Sequence, residues 1–236
     1  MLTALAVAIA VWFGQLRLKR AGLHVESFSS IVLWGIVGGL IGARLFHIVD
    51  HLPYYVSHPL EAFAVYEGGL AAYGAFIGGI LGGCIAARRA GQSIWRLLDA
   101  AAPALLVGQA IGRLGCLSNG DAWGIPTGGA WGIVYGHPNA LLPSGLLGVP
   151  THPYPVYEIA AVLVLLGGLW LTGRWLAAPG SISLVAAMGY GAVRFGLGFF
   201  RQETVLFLGL QEAQLVAVAT AFAALSMLFI RLRAST

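Results

Sequence analysis

Seven long apolar runs, separated by short charged or Gly/Pro-rich segments, leave this chain almost no way to fold in water. They cover about 2–16, 28–49, 69–87, 95–114, 154–173, 181–200 and 210–230. Most reach the roughly 17–25 residues a helix needs to cross hydrocarbon, and the first is short. Only 9% of the 236 residues are charged and 58% are hydrophobic, with a mean hydropathy of +0.84. A soluble domain carries about 25% charged residues, so these few cannot clothe a water-facing surface. The expected fold class is all-α: a polytopic membrane protein with about seven transmembrane helices. It reads as a single transmembrane domain over 1–236, with 115–153 as a small external cap.

The placement of positive charge orients the spans. Arg17, Lys19, Arg20, Arg88, Arg89, Arg96, Arg174, Arg231 and Arg233 all fall on one side, which the positive-inside rule makes cytoplasmic. The amino terminus is then expected outside and the carboxyl terminus inside, as an odd number of spans requires. No cleavable signal peptide is expected, because the positive charges follow the first apolar run. A net charge of +4 raises nucleic acid as a partner, but the basic residues are scattered between apolar runs, so none is expected. Two cysteines, Cys84 and Cys116, give no disulfide framework, and the six histidines lack paired metal-ligand spacing.

Four arginines are left over: Arg44, Arg113, Arg194 and Arg201, each in a span or at its outer end. An arginine at mid-bilayer costs about 2.5–3.5 kcal/mol on insertion scales. Arg194 and Arg201 lie two turns apart, and Tyr190 joins the face of Arg194 one turn earlier. Arg44 and His47 share a face of the second span. One reading pairs these arginines with the carboxylates of Asp121, Glu158 and Glu203. The other makes them an anion site, where guanidinium forks hold a lipid phosphate. The outward segment 115–153 carries Trp123, Trp131 and Tyr135, an aromatic content that predicts order. Glycines four apart (Gly35/Gly39, Gly38/Gly42, Gly74/Gly78/Gly82, Gly108/Gly112) predict close helix packing.

The stretch Gly112-Arg113-Leu114-Gly115-Cys116-Leu117-Ser118-Asn119-Gly120-Asp121-Ala122-Trp123-Gly124 resembles the signature of bacterial prolipoprotein diacylglyceryl transferases, approximately G-R-x-G-N-F-x-N-x-E-x-x-G. Other stretches resemble family segments in the same order: Gly42-Ala43-Arg44-Leu45, Glu67-Gly68-Gly69-Leu70 with Tyr73-Gly74, His152-Pro153 with Tyr157-Glu158, and Tyr190-Gly191-Ala192-Val193-Arg194-Phe195. The resemblance implies a seven-helix enzyme of the bacterial plasma (inner) membrane that needs no cofactor. Such enzymes move the diacylglyceryl group of phosphatidylglycerol to the lipobox cysteine thiol of a prolipoprotein signal peptide. The product is a thioether, and glycerol phosphate leaves.

By resemblance, Arg113 contacts the lipid headgroup and Arg194 is essential. Tyr73 stands where several members carry a histidine proposed as general base. Asn119, Asp121, Gly124, Tyr190, Arg44, His152 and Glu158 are the implied substrate-binding positions. Departures from the pattern are Cys116 for asparagine, Leu117 for phenylalanine, Asp121 for glutamate, and Gly198 for a glutamate. The base is therefore open between Tyr73, His47 and the substrate's own thiolate. His152 and Glu158 also have local readings, as a loop anchor and as the counter-charge of an arginine. A relative that binds lipid or lipoprotein without transfer, and a transporter, are the competing readings.

Overall fold

The computed structural model describes residues 2–23, 27–64, 68, 69, 71–202, 205–207 and 209–234. The helices are α1 (Leu2–Arg20), α2 (Phe28–Asp50), α3 (Leu52–Ser57), α4 (Ala72–Arg89), α5 (Ile94–Asn119), α6 (Tyr154–Thr172), α7 (Ser181–Gly198) and α8 (Glu212–Ala234). A short hairpin, β1 (Val205–Phe207) and β2 (Leu210–Gln211), joins α7 to α8. The protein is an all-α polytopic membrane protein. Among the described residues, six helices (α1, α2, α5, α6, α7 and α8) are long and apolar enough to cross a membrane. The expected span at 69–87 corresponds to α4, which falls outside those six. It has 18 residues, is rich in glycine, and ends in Arg88 and Arg89.

The chain divides into two compact units, Met1–Arg17 with Leu98–Thr236, and Leu18–Leu97. In the second unit, α2 and α4 run antiparallel along a glycine seam. A Cβ on Gly38 would lie 2.4 Å from the Gly78 carbonyl oxygen, and one on Gly42 would lie 2.3 Å from that of Gly74. The two backbones are therefore in direct contact, which no larger residue permits. Gly35 and Gly39 flank this seam, each facing a backbone carbonyl of α4.

In the first unit, α5, α6 and α7 surround a core of Leu106, Ala110, Val162, Leu169 and Ala186. On α1, Ala6 and Ala10 pack against Gly108, whereas Gly112 meets nothing within 4 Å of where its Cβ would be. Helix α7 is entered through Gly180, whose φ of +96° suits glycine. The Asp99 carboxylate of α5 accepts hydrogen bonds from the Gly180 and Ser183 backbone N–H groups at 2.6 and 2.8 Å. A cap from another helix thus replaces the local one that glycine cannot supply.

Several boundaries differ from the sequence reading, α1 running to Arg20 rather than 16 among them, and two of them bear on the site. Helix α5 runs five residues past the expected end at 114, so Cys116 and Asn119 are helical and the cap begins at Gly120. No proline lies in 115–119 and Gly115 by itself only weakens the helix, and Gly120, at φ +72°, is where the chain turns out. Helix α7 ends at Gly198, before Arg201, which sits in a bridge pairing with Gly124.

Candidate active site

Three helices of the first unit each contribute two polar side chains one turn apart: Gln109 and Arg113 from α5, Tyr154 and Glu158 from α6, Tyr190 and Arg194 from α7. Helical periodicity puts each pair on a single face, and the three faces meet at one end of the apolar core. Glu158 is fully buried and joins them. Its Oε1 accepts hydrogen bonds from the Gln109 amide and the Tyr190 hydroxyl, both at 2.9 Å. The Gln109 amide also donates to the Tyr190 oxygen at 3.0 Å. Glu158 Oε2 lies 2.8 Å from Arg113 Nε and 3.6 Å from Arg194 Nη1.

Two guanidinium groups therefore share a single carboxylate, leaving that trio with one surplus positive charge. The Arg113 and Arg194 side chains are 14% and 19% exposed, so neither is sealed from a ligand. The buried Tyr154 ring supports them, with the Arg113 and Arg194 guanidinium carbons 5.9 and 6.0 Å from its centroid. Arg194 donates to the Tyr154 hydroxyl. Arg201 reaches the same ring at 5.3 Å from beyond the end of α7, so the three cations converge without sharing a helix. Arg113 Nη1 is 3.5 Å from Cys116 Sγ.

The cap closes over this end through backbone pairing. Ile125 N–H donates to the Phe200 carbonyl at 3.0 Å, and His152 N–H to the Ile125 carbonyl at 3.0 Å. Thr151 and Ile133 exchange backbone hydrogen bonds. Gly124 lies at the crossing, where a Cβ would come within 2.6 Å of the His152 carbonyl oxygen and 2.7 Å of the Phe200 carbonyl oxygen. The structure thus gives Gly124 a close-approach role between cap, α6 and α7. His152 Nδ1 lies 3.1 Å from the Tyr157 hydroxyl. Tyr135 donates to the Leu117 carbonyl at 3.0 Å, fastening the cap to α5. Burial, then the Asp121 carboxylate beside it, push the Tyr135 phenol above its ordinary range. The Asn119 side chain is exposed, and its carbonyl accepts from Leu141 N–H.

Of the residues singled out from sequence, Arg113, Arg194, Tyr190 and Glu158 are brought together, and Asp121, Gly124 and His152 belong to the cap and its attachment. Arg44 meets no carboxylate among the described residues. It is 8% exposed, and its donors go to the backbone carbonyls of Glu61, Ala62 (2.9 Å), Gly68 (2.7 Å) and Gly69 (3.2 Å). Glu61 and Ala62 lie in a short 3-10 helix over Pro59–Phe63, where the Glu61 carbonyl also accepts from the Ala64 N–H, and the guanidinium fork takes up these carbonyls with those of the two glycines. Arg44 thus ties the Glu61–Ala62 turn to Gly68 and Gly69. His47 does share its face, since a Cβ on Gly69 would touch both side chains. Tyr73 lies in the first turn of α4, with its side chain outside the described residues, as are Glu67, Leu70 and Glu203 entirely.

Sequence reading passed over Gln109 and Tyr154. Each sits four residues before a residue it did select, Arg113 and Glu158, and that spacing on a membrane helix was the available signal.

The sequence profile described as prolipoprotein diacylglyceryl transferase matches residues 1–230. Among curated proteins, a phosphatidylglycerol–prolipoprotein diacylglyceryl transferase of Cupriavidus metallidurans is 34% identical over 212 residues, covering 87% of this chain and 76% of the relative. Proteins of the same description from Gloeobacter violaceus and an Azoarcus species are 36% and 30% identical. They cover 82% and 95% of this chain, and 73% and 86% of their own lengths. A match of this extent, over a chain whose Arg113, Glu158 and Arg194 converge in space, places the protein in the prolipoprotein diacylglyceryl transferase family.

Proposed function

We propose that the protein transfers the diacylglyceryl group of phosphatidylglycerol to the lipobox cysteine of a prolipoprotein signal peptide. It does so in a bacterial plasma membrane, with its amino terminus outside and its carboxyl terminus cytoplasmic. The observation that carries this reading is the sharing of Glu158 by Arg113 and Arg194, which leaves a half-buried site one positive charge in surplus. In a medium of low dielectric such a surplus is costly, and a phosphate diester offsets it.

The reaction suits that field. The cysteine sulfur attacks the diacylglyceryl carbon that carries the phosphate, forming a C–S bond and breaking the C–O bond. The electron pair of the broken bond leaves on glycerol phosphate, and the thiol proton, where the substrate is not already a thiolate, passes to a general base. Negative charge grows on the departing phosphate, where fixed guanidinium groups stabilise it without reorganising. Glu158, Gln109 and Tyr190 hold the two arginines in place, so the donors are set before substrate arrives. Tyr73, where several family members carry a histidine, and His47 are the candidate acceptors of the thiol proton unless the substrate already presents a thiolate. By resemblance, Asn119, Asp121, Gly124 and His152 shape the binding surface with the cap.

The test is lipidation of a lipobox peptide by purified protein in phosphatidylglycerol micelles, read as a thioether-linked lipid by mass spectrometry. Arg113→Ala is expected to lower turnover by about a hundredfold or more, the scale of losing one preorganised anion donor. Arg113→Lys keeps the charge but loses the fork, and should retain an intermediate rate. Full turnover by Arg113→Ala, in protein that remains monodisperse, overturns the assignment. Tyr73→Phe should lower kcat by about a hundredfold if its hydroxyl serves as base. An unchanged rate removes Tyr73 from the mechanism and leaves the transfer itself standing.

A further inference from the structure

Arg44 marks one end of the α2–α4 pair. At the other end, the start of α2 and the last turn of α4 enclose a cleft of about 600 Å³. The glycine seam explains its position. A Cβ on Gly82 would lie 2.3 Å from the Trp34 carbonyl oxygen, so close contact extends that far. The same antiparallel register carried two turns further puts Ser30 beside Ala86 and Ser27 level with Arg89. There the seam has no more glycine, and the backbones can no longer touch. Ser27, Ser30 and Trp34 line one wall at helical spacing, and Gly82, Ile85 and Arg89 line the other.

We infer that this cleft binds a phospholipid with an anionic headgroup, its phosphate at Arg89, Ser27 and Ser30 and an acyl chain along Trp34, Gly82 and Ile85. Arg89 is exposed at the mouth and has no ion-pair partner among the described residues, and Arg88 precedes it. The first turn of α2 itself carries no acidic residue, and Glu26, just before Ser27, lies outside the described residues. The Ser27 hydroxyl is fixed at the mouth by the Gln92 amide, which donates to it at 3.0 Å. Polarity then falls with depth. Trp34 lies seven residues beyond Ser27, about 10 Å along the helix, and both it and Ile85 are half exposed. A cationic mouth opening onto an apolar groove, at the arginine-rich ends of membrane helices, is complementary to one anionic lipid of the adjacent leaflet. A free phosphate would leave the apolar wall unused.

The site shares no residue with Arg113, Glu158 or Arg194, so its test stands apart from the transfer reaction. The full chain is placed in phosphatidylcholine nanodiscs doped with brominated phosphatidylserine or brominated phosphatidylcholine, and tryptophan quenching is followed. The signal lost in Trp34→Phe defines the contribution of this cleft. In the wild type, brominated phosphatidylserine should half-saturate that signal at an approximately fivefold lower mole fraction than brominated phosphatidylcholine, the worth of about one arginine at a membrane surface. Arg89→Gln, and separately Ser30→Leu, should abolish the preference while lipidation proceeds as in the wild type. Inorganic phosphate should not compete. Equal quenching by both lipids, an unaltered preference in Arg89→Gln, or displacement by inorganic phosphate overturns the proposal.

Discussion

Glu158 holds two guanidinium groups and two neutral donors with its two oxygens, in a place that water does not reach. Its removal strands two cations near the membrane interior, and breaking a buried pair in this way costs about 3–5 kcal/mol. Glu158→Gln keeps the shape and the carbonyl acceptor facing Gln109 and Tyr190 but deletes the counter-charge. Two effects are expected, a lower melting temperature in detergent and a turnover reduced along with it. Added phosphatidylglycerol should raise the melting temperature of the variant more than that of the wild type, because the lipid phosphate then supplies the missing negative charge. A variant that melts as the wild type does would show that Glu158 bears no such load. Arg113, Arg194 and Tyr190 were legible from sequence because charged and hydroxyl groups are conspicuous within apolar runs. Glu158 was legible as an arginine's counter-charge, but its sharing by two arginines was not, because that depends on three helices that are distant in sequence.

Among the elements, the α2–α4 pair rests on glycines whose absent side chains let carbonyl oxygens meet the opposite backbone. A Cβ on Gly78 would lie 2.1 Å from the Gly38 carbonyl oxygen, nearer than any contact can be. Gly78→Leu must therefore push the helices apart and is expected to destabilise the protein by about 1–3 kcal/mol or more, the scale of overpacking. Gly112→Leu is the control, since it meets open space. Melting curves of the two variants should separate clearly, and equal curves would refute the seam. The four-residue spacing of these glycines pointed to packing, but which face met which partner did not follow from it. Gly108 packs on α1, whereas Gly112, with the same spacing, packs on nothing. At the end of α7, Gly198 leaves room for the buried Gln214 side chain, which donates to the Phe195 carbonyl at 3.2 Å. A glutamate at 198 would collide with it, so the departure at this position is matched by a glutamine from α8.

For the whole molecule, the distribution of Lys and Arg predicts an outside amino terminus and a cytoplasmic carboxyl terminus. Reporter fusions test this. A fluorescent protein active only in the cytoplasm should light up when fused after Thr236, whereas an exported phosphatase should be active when inserted in the cap near Gly136. The opposite pattern would invert the orientation. The sequence by itself determined that the chain enters a membrane as helices, because 9% charge leaves no alternative solvent. Its ordered motifs also determined the family. The tertiary structure alone decided which groups each arginine meets. Arg44 and Arg113 look alike in sequence, each at the outer end of an apolar run and next to small residues. One ends among backbone carbonyls and the other beside a carboxylate shared with Arg194. A guanidinium carries the same charge wherever it sits, and only the groups folded around it fix how much of that charge remains for a ligand.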